Sequence, residues 1–302
     1  MKIGFFTTCT LFLTLLGFIK TSLSREYIIY GKNNLIDYYQ IEDSLPEIKE
    51  WSRSISAMVS KEALQKVGPS YIIKKSNHDP EELPFCQPMT SLEKDFSSRQ
   101  KLSECTAFLI GPGILATARH CVEEESICQE NLWVFDFKLE KRDQMFTSFP
   151  EDNVYECERI LSEEHPILDY AIIKLKTIPP NRNPLKIRPF KTEGLSGLSG
   201  HPNLLVMSHP LGQPLKISLQ STLRESSHPL FFQFESDTFK GNSGSPVINL
   251  DKGFVEGILF SGERDFIYQD RCKKIKYCDP GSCRGERAIK INQIPQIYQW
   301  IQ

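Results

Sequence analysis

Short apolar runs separated by turn residues dominate this sequence from residue 105 onward. In TAFLIGPGILATARH two such runs flank Gly111-Pro112-Gly113, and similar runs follow as LWVFDFKL, DYAIIKLK, LLVMSH, FFQFES, SPVIN and GFVEGILF. Runs of this length, bounded by turn residues, predict β-strands. The series is interrupted by a predicted linker that contains Pro179, Pro180, Pro184 and Pro189. The chain is therefore expected to be all-β, in two units of short strands.

Both ends of the chain differ from this pattern. The last residues, INQIPQIYQWIQ, predict a C-terminal helix because their large apolar residues fall on one helical face. These residues are Ile294, Ile297, Trp300 and Ile301. We expect a first unit over 54–180 and a second unit with this helix over 181–302. The polar residues 25–53 are a propeptide or an N-terminal arm, with an ordinary surface extension as the alternative.

The first residues, MKIGFFTTCTLFLTLLGFIKTSLS, have the pattern of a secretory signal peptide. Lys2 supplies the positive charge, an apolar stretch follows, and the small residues Ser22 and Ser24 precede the expected cut. A retained membrane anchor is the alternative, although the stretch is short for one. Cleavage after residue 24 predicts a secreted or periplasmic protein without stable membrane association.

The cysteine count and the charge balance further limit which class of protein this chain can be. Eight cysteines remain after residue 24, an even number that predicts disulfides in an exported chain. The spacing of Cys272, Cys278 and Cys283 fits no common zinc pattern, so we expect no metal site there. Lys plus Arg is 36 and Asp plus Glu is 38, which disfavours nucleic acid as a partner. No motif indicates an organic cofactor, and the sequence leaves open whether the protein binds a structural calcium ion.

The segment DTFKGNSGSPVIN places Ser243 between Gly241 and Gly244. A serine hydroxyl becomes a useful nucleophile only with a base to take its proton and donors to hold the oxyanion. Backbone N–H groups that converge on one point force an unusual turn, which glycine permits. We therefore expect Gly241 and Ser243 to form an oxyanion hole.

Of the six histidines, His78 lies in a polar loop, and four precede proline, which biases them to extended or turn backbone: His165, His201, His209 and His228. His120 follows an apolar strand, in ILATARHCV. It is the candidate base, and a hydrogen-bonded structural histidine is the alternative. A base of this kind needs an acid that fixes its tautomer. Asp169, at the head of DYAIIKLK, is the candidate, and a strand-capping aspartate is the alternative.

These three motifs resemble those of the chymotrypsin/trypsin-like serine peptidases. TARHC is similar to the family box T-A-A-H-C, and GNSGSP to G-D-S-G-G-P. The order His120, Asp169, Ser243 is that of the family. The asparagine before the serine resembles most the bacterial V8-like branch, the glutamyl endopeptidases. The resemblance implies two six-stranded antiparallel β-barrels, a catalytic triad in the cleft between them, and a disulfide between Cys105 and Cys121.

The resemblance also has limits, and each of them bears on activation or specificity. Asn242 carries no charge, so it cannot pair with a new N-terminus as the acid of trypsins does. Removal of residues 25–53 could still activate a zymogen. Leu259 occupies the place of the histidine that binds glutamate, which disfavours glutamate specificity. Asp237 lies six residues before Ser243, where trypsins carry the acid that selects Lys or Arg; alternatively, it only hydrogen-bonds its own turn.

The sequence therefore predicts an exported serine endopeptidase that acts on proteins or peptides. The residue before the cleaved bond (P1) is expected to be Lys or Arg if Asp237 lies open at the floor of a pocket. A non-catalytic binding protein on the same scaffold is the alternative. No feature of the sequence indicates the oligomeric state.

Overall fold

The computed structural model describes residues 29–74, 82–162, 165, 167–190, 198 and 202–301. The predicted signal peptide, residues 1–24, lies outside the described residues. The strands, in chain order, are β1 (Ile29–Tyr30), β2 (Leu35–Asp37), β3 (Ile55–Ser60), β4 (Leu64–Val67), β5 (Ser70–Ile73), β6 (Ser103–Gly111), β7 (Ile114–Thr117), β8 (Asn131–Phe135), β9 (Ser148–Pro150), β10 (Val154–Ile160), β11 (Ala171–Leu175), β12 (Leu204–Ser208), β13 (Lys216–Glu225), β14 (Phe231–Glu235), β15 (Pro246–Asn249), β16 (Phe254–Ser261), β17 (Phe266–Gln269), β18 (Cys272–Ile275), β19 (Tyr277–Cys278) and β20 (Glu286–Lys290).

Helices in the described residues are few and short. The α-helices are α1 (Pro46–Ser52), α2 (Ser91–Ser98) and α3 (Glu125–Glu130). The 3-10 helices are Tyr38–Gln40, Lys61–Ala63, Arg119–Cys121, Glu151–Asn153, Pro210–Gly212, Ile291–Gln293 and Pro295–Gln299. The last two take the place of the predicted C-terminal helix. Pro295 lacks a backbone N–H and so separates them, while Ile294 and Ile297 are fully buried, as the helical face requires.

Twelve strands form two closed antiparallel β-barrels of six strands each. The first barrel has the order β10-β11-β7-β6-β3-β8. The second has the order β12-β15-β16-β20-β14-β13 and closes through the pairing of β12 with β13. The predicted all-β fold of chymotrypsin-like type is confirmed, and the proline-rich linker lies between β11 and β12.

Each barrel has its own apolar interior, and a third cluster joins them. Trp133 and Leu115 lie in the first interior, and Phe232 and Val247 in the second. The shared cluster contains Phe108 of β6 together with residues of the second barrel. Some strands have their own barrel interior on one side and the neighbouring barrel on the opposite side. Both faces of these strands are therefore buried. This explains the consecutive apolar residues at 107–110 in β6 and at Val247-Ile248 in β15.

The N-terminal residues pack against the second barrel. Strand β2 pairs with the edge of β13 in an antiparallel register that sets Ile36 opposite Ile217. Asp37 of β2 is buried and forms ion pairs with Lys216 at 2.7 Å and with Arg99 at 3.0 Å. Ile48 of α1 is fully buried in the shared cluster. Residues 29–53 are therefore integral to the folded molecule.

All eight described cysteines are in disulfides. The pairs are Cys86–Cys272, Cys105–Cys121, Cys128–Cys157 and Cys278–Cys283. The pair Cys86–Cys272 ties the segment before α2 to the hairpin of β17 and β18. Four disulfides indicate that the chain folds in an oxidising compartment. Within the described residues, no helix has the length and the apolar character needed to cross a bilayer.

Candidate active site

The structure brings His120 and Asp169 into direct contact. His120 lies in the 3-10 helix that follows β7, and Asp169 lies two residues before β11. Ala171 of β11 pairs with Thr117 of β7, so the two strand ends carry Asp169 and His120 to the same place. The Asp169 carboxylate accepts the backbone N–H of His120 at 2.9 Å, and its second oxygen lies 2.9 Å from Nδ1 of the ring.

This contact fixes the tautomer of the imidazole. An ionised carboxylate only accepts hydrogen bonds, so Nδ1 of His120 carries the proton that points to Asp169. Nε2 is then left as the acceptor on the opposite edge of the ring. The His120 side chain is 22% exposed and that of Asp169 is 12% exposed. A reactant can therefore reach the ring, while the carboxylate behind it is shielded from water.

Two glycines with positive φ hold the backbone around Ser243. Gly241 has φ +95°, and an added Cβ would lie 2.5 Å from the carbonyl oxygen of His209. Gly244 has φ +87°, and an added Cβ would lie 2.1 Å from the carbonyl oxygen of Thr106. No side chain fits at either position, and L-residues rarely adopt such φ values. Both glycines are therefore required by the turn that carries Ser243.

Close packing at Gly244 sets Ser243 against the first barrel. The same Cβ would also lie 2.9 Å from the backbone nitrogen of Ala118, two residues before His120. The carbonyl oxygen of Ser243 accepts the N–H of Thr106 at 2.9 Å and lies 3.8 Å from Sγ of Cys121. Ser243 thus lies next to the segment that bears His120, at the boundary of the two barrels.

Thr106 is a site residue that the sequence analysis missed. Its hydroxyl donates to the carbonyl oxygen of Gly241 at 2.9 Å and accepts the N–H of His209 at 3.1 Å. The hydroxyl and the backbone N–H of Thr106 together tie β6 to both ends of the serine turn. The only local signal was its position directly after Cys105.

Gly241 and Asn242, the two residues before Ser243, have different surroundings. The N–H of Asn242 donates to the carbonyl oxygen of Phe239 at 2.9 Å. Gly241 borders a cavity that His120 also lines, so its backbone faces the same space as the ring. The Asn242 side chain is fully buried, and with its amide oxygen toward Ser208 it accepts that hydroxyl at 2.9 Å. This contact stabilises the turn without the cation that a buried acid would need.

Asp237 is fully buried and is hydrogen-bonded to the N-terminal residues. One carboxylate oxygen accepts the backbone N–H of Tyr30 and the other accepts that of Asn34, both at 2.8 Å. Burial raises the pKa of Asp237 from 3.8 to about 6, and the two N–H donors oppose that rise. Both oxygens are therefore occupied by backbone. The two partners lie in the N-terminal arm, so the buried carboxylate neither lies open to a pocket nor bonds only its own turn.

His209 is unsuited to act as a base. It is buried, its Nδ1 lies 3.0 Å from the carbonyl oxygen of Gln213, and its ring stacks on Phe137. Burial lowers the pKa of His209 from 6.5 to about 4, so the ring is neutral near pH 7.

Metal-ligating atoms come together at one place within the described residues, where the sulfurs of Cys105 and Cys121 lie near His120. Those sulfurs are joined in a disulfide, so they are not thiolates and do not bind a metal ion.

Two six-stranded antiparallel barrels, a carboxylate-bound histidine and a serine between glycines at their boundary define the class of two-barrel peptidases. The chain belongs to the trypsin-like peptidase domain family, whose sequence model matches residues 105–258. The match covers both barrels in part and includes His120, Asp169 and Ser243.

Solved structures of proteases are similar to this chain at low identity. One is a serine-to-alanine mutant of Rv3671c from M. tuberculosis H37Rv in its inactive form, at 15% identity and a TM-score of 0.46 over 91% of this chain and 96% of that one. Another is the VesB protease of Vibrio cholerae, at 14% identity and a TM-score of 0.48 over 90% of this chain and 67% of that one. No curated protein matches this chain in sequence.

Proposed function

We propose that this peptidase is an exported serine endopeptidase that uses His120, Asp169 and Ser243 as a catalytic triad. The observation that carries the proposal is the double contact of Asp169 with the ring and backbone of His120. That contact leaves Nε2 as a proton acceptor beside a serine turn that only glycines permit. The alternative roles, a structural histidine or a strand-capping aspartate, give no reason for such a turn nearby.

The reaction follows from these groups. Oγ of Ser243 attacks the carbonyl carbon of the scissile bond while Nε2 of His120 takes the hydroxyl proton. The backbone N–H groups of Gly241 and Ser243 stabilise the oxyanion, and Asp169 stabilises the imidazolium. His120 then gives the proton to the departing amine, and an acyl-enzyme remains. Water, activated by His120, hydrolyses the ester and restores Ser243. Only neutral His120 can accept the proton, so activity should rise from pH 5 to pH 8.

The contacts of Asp237 bear on specificity. A P1 preference for Lys or Arg would require its carboxylate to face the substrate, but both oxygens accept backbone N–H groups. Lys240 forms no ion pair with Asp237 among the described residues. We therefore leave a basic P1 residue out of the proposal, and profiling with a peptide library tests this choice. The resemblance to the V8-like branch of the family stays a prediction.

The compartment and the N-terminal residues complete the proposal. Cleavage after residue 24 and four disulfides are consistent with secretion or transport to a periplasm. Residues 25–53 act as an N-terminal arm that stays in place, because Asp37 and Ile48 are buried within the fold. The units 54–180 and 181–302 are proposed to carry the histidine with the aspartate, and the serine, respectively.

A fluorophosphonate probe tests the proposal directly. We expect the wild type to be labelled and Ser243→Ala to be unlabelled. Ser245→Ala is the matched control, because this serine lies two residues further on and its buried hydroxyl has no hydrogen-bond partner within the described part of the chain. Label on Ser243→Ala, or none on the wild type, would contradict the proposal. The second result, with a folded protein, would favour the non-catalytic binding protein.

A further inference from the structure

A cavity of about 890 Å³ borders His120 and Gly241 and extends away from them. Its walls include the disulfide of Cys105 and Cys121 and the neighbouring Glu104. Asp237 is not part of its lining. In the proposed mechanism His120 gives its proton to the departing amine. A cavity that begins at His120 and continues past the disulfide therefore lies on the side of the leaving peptide.

One ion cluster in the cavity wall joins a carboxylate to two lysines. The Glu82 carboxylate binds the ammonium of Lys101 at 2.6 Å, and its other oxygen binds Lys273. Lys273 is buried, and its ammonium lies 4.3 Å from the ring centre of Phe266. Burial acts to raise the pKa of Glu82, but the two bound ammonium groups together outweigh it and lower the pKa, so the carboxylate is ionised near pH 7. The buried Asp265 adds a further negative charge near Lys273, and its carboxylate accepts the backbone N–H of Lys240 at 3.0 Å.

Two further charges line the cavity near the serine turn. Lys240 directly precedes Gly241 and is exposed, and its ammonium forms no ion pair among the described residues. Glu104 is the extra residue of a β-bulge, because Met58 pairs with Cys105 and Val59 with Ser103. Such bulges redirect a side chain, and Glu104 is exposed at the cavity. Lys240 therefore offers the cavity an exposed positive charge next to Gly241, and Glu104 an exposed negative one.

We propose that this cavity binds the leaving peptide and selects an acidic side chain within its first three residues, through Lys240. The inference rests on the proposed endopeptidase function and adds a specificity to it. The Lys240 ammonium meets the incoming carboxylate beside the oxyanion donors. Glu104, in the same wall, opposes this attraction. A partly exposed ion pair of this kind should raise kcat/KM for the acidic peptide about threefold to fivefold over that for the neutral one.

The test compares internally quenched peptides that differ in one residue. A peptide library first supplies one sequence that the wild type cleaves, and Glu, Gln or Lys is then placed at each of the three positions after the cleaved bond. We expect the wild type to favour Glu over Gln at one of them. Lys240→Gln should abolish that ratio, and Glu104→Gln should increase it. Lys252→Gln is the matched control, because this exposed lysine lies in the turn between β15 and β16 and does not line the cavity.

The outcomes separate this inference from the function on which it rests. Peptide cleavage without a Glu preference would overturn the inference alone, as would a charge preference confined to residues before the bond. A Glu preference that persists in Lys240→Gln would also overturn it. An activated ester with no residues after the bond is assayed in parallel with the wild type. If neither ester nor peptide is hydrolysed, the endopeptidase function fails and this specificity fails with it.

Discussion

The carboxylate of Asp237 accepts the backbone N–H of Tyr30 at 2.8 Å, although 207 positions separate the two residues. This contact joins the N-terminal arm to the segment between β14 and the serine turn. The carboxylate is fully buried, so its charge is costly. The folded protein consequently holds a proton on Asp237 more tightly than the unfolded chain does, because its pKa is about 6 instead of 3.8.

Asp237→Asn should change how stability depends on pH. Protonation of Asp237 stabilises the fold below about pH 4, and this contribution is lost as the pH rises through about 6. The wild type should thus lose on the order of 3 kcal/mol relative to the variant between pH 3.5 and pH 7. Urea unfolding at several pH values measures the difference. The control is Asp152→Asn, an exposed site, and a pH dependence of Asp237→Asn equal to that of the wild type would contradict the expectation.

The sequence predicted the strands that are buried on both faces. Strands β11, β15 and β16 each contain a short apolar run bounded by turn residues, and so were found from the sequence alone. Strand β13, the longest, was missed because polar residues alternate with Ile217 and Leu219 and its second half is exposed. Strand β20 was missed because Glu286 and Lys290 at its ends are charged yet buried. The alternation in β13 is visible in the sequence, whereas the burial of Glu286 and Lys290 is not visible without the partner strands.

In the candidate site too, the sequence predicted the features that depend on local patterns and missed those that depend on distant segments. His120 and Asp169 lie at the ends of apolar strands, so local patterns pointed to both. The partners of Asp237 are backbone groups of the arm, which no pattern near residue 237 could reveal. The cavity charges of Glu82 and Lys273 likewise come from distant segments that the fold brings together.

Asp169→Asn should reduce kcat by about 10⁴, the size of loss that this change causes in a serine-protease triad. The carboxylate accepts from both the backbone N–H and Nδ1 of His120. A carboxamide has one oxygen, so its amide group must face one of these donors. Turning the ring to the other tautomer puts the proton on Nε2, where it blocks the base. Steady-state kinetics on an ester measures the loss, and a decrease of less than tenfold would count against the role of Asp169.

Gly244→Ala should destabilise the protein by about 3 kcal/mol or more, because the added methyl group meets the carbonyl oxygen of Thr106 at 2.1 Å. Gly68→Ala is the control. Gly68 also has a positive φ, of +58°, but nothing lies within 4 Å of an added Cβ, so only the backbone strain of about 1 kcal/mol applies. Urea unfolding of both variants separates the clash from the strain. Equal losses would mean that the turn is not packed against the first barrel.

Asp37→Ala tests whether the N-terminal arm is part of the fold. Asp37 is buried and pairs with Lys216, which is 4% exposed, so its removal leaves a buried ammonium with Asp95 as its remaining partner. Loss of one member of a buried pair costs about 3 kcal/mol, and the free energy of unfolding should fall by that amount. Asp43→Ala, which removes a fully exposed partner of Lys49, should leave stability unchanged. If both variants are as stable as the wild type, the arm contributes little and removal of residues 25–53 as a propeptide becomes the better explanation.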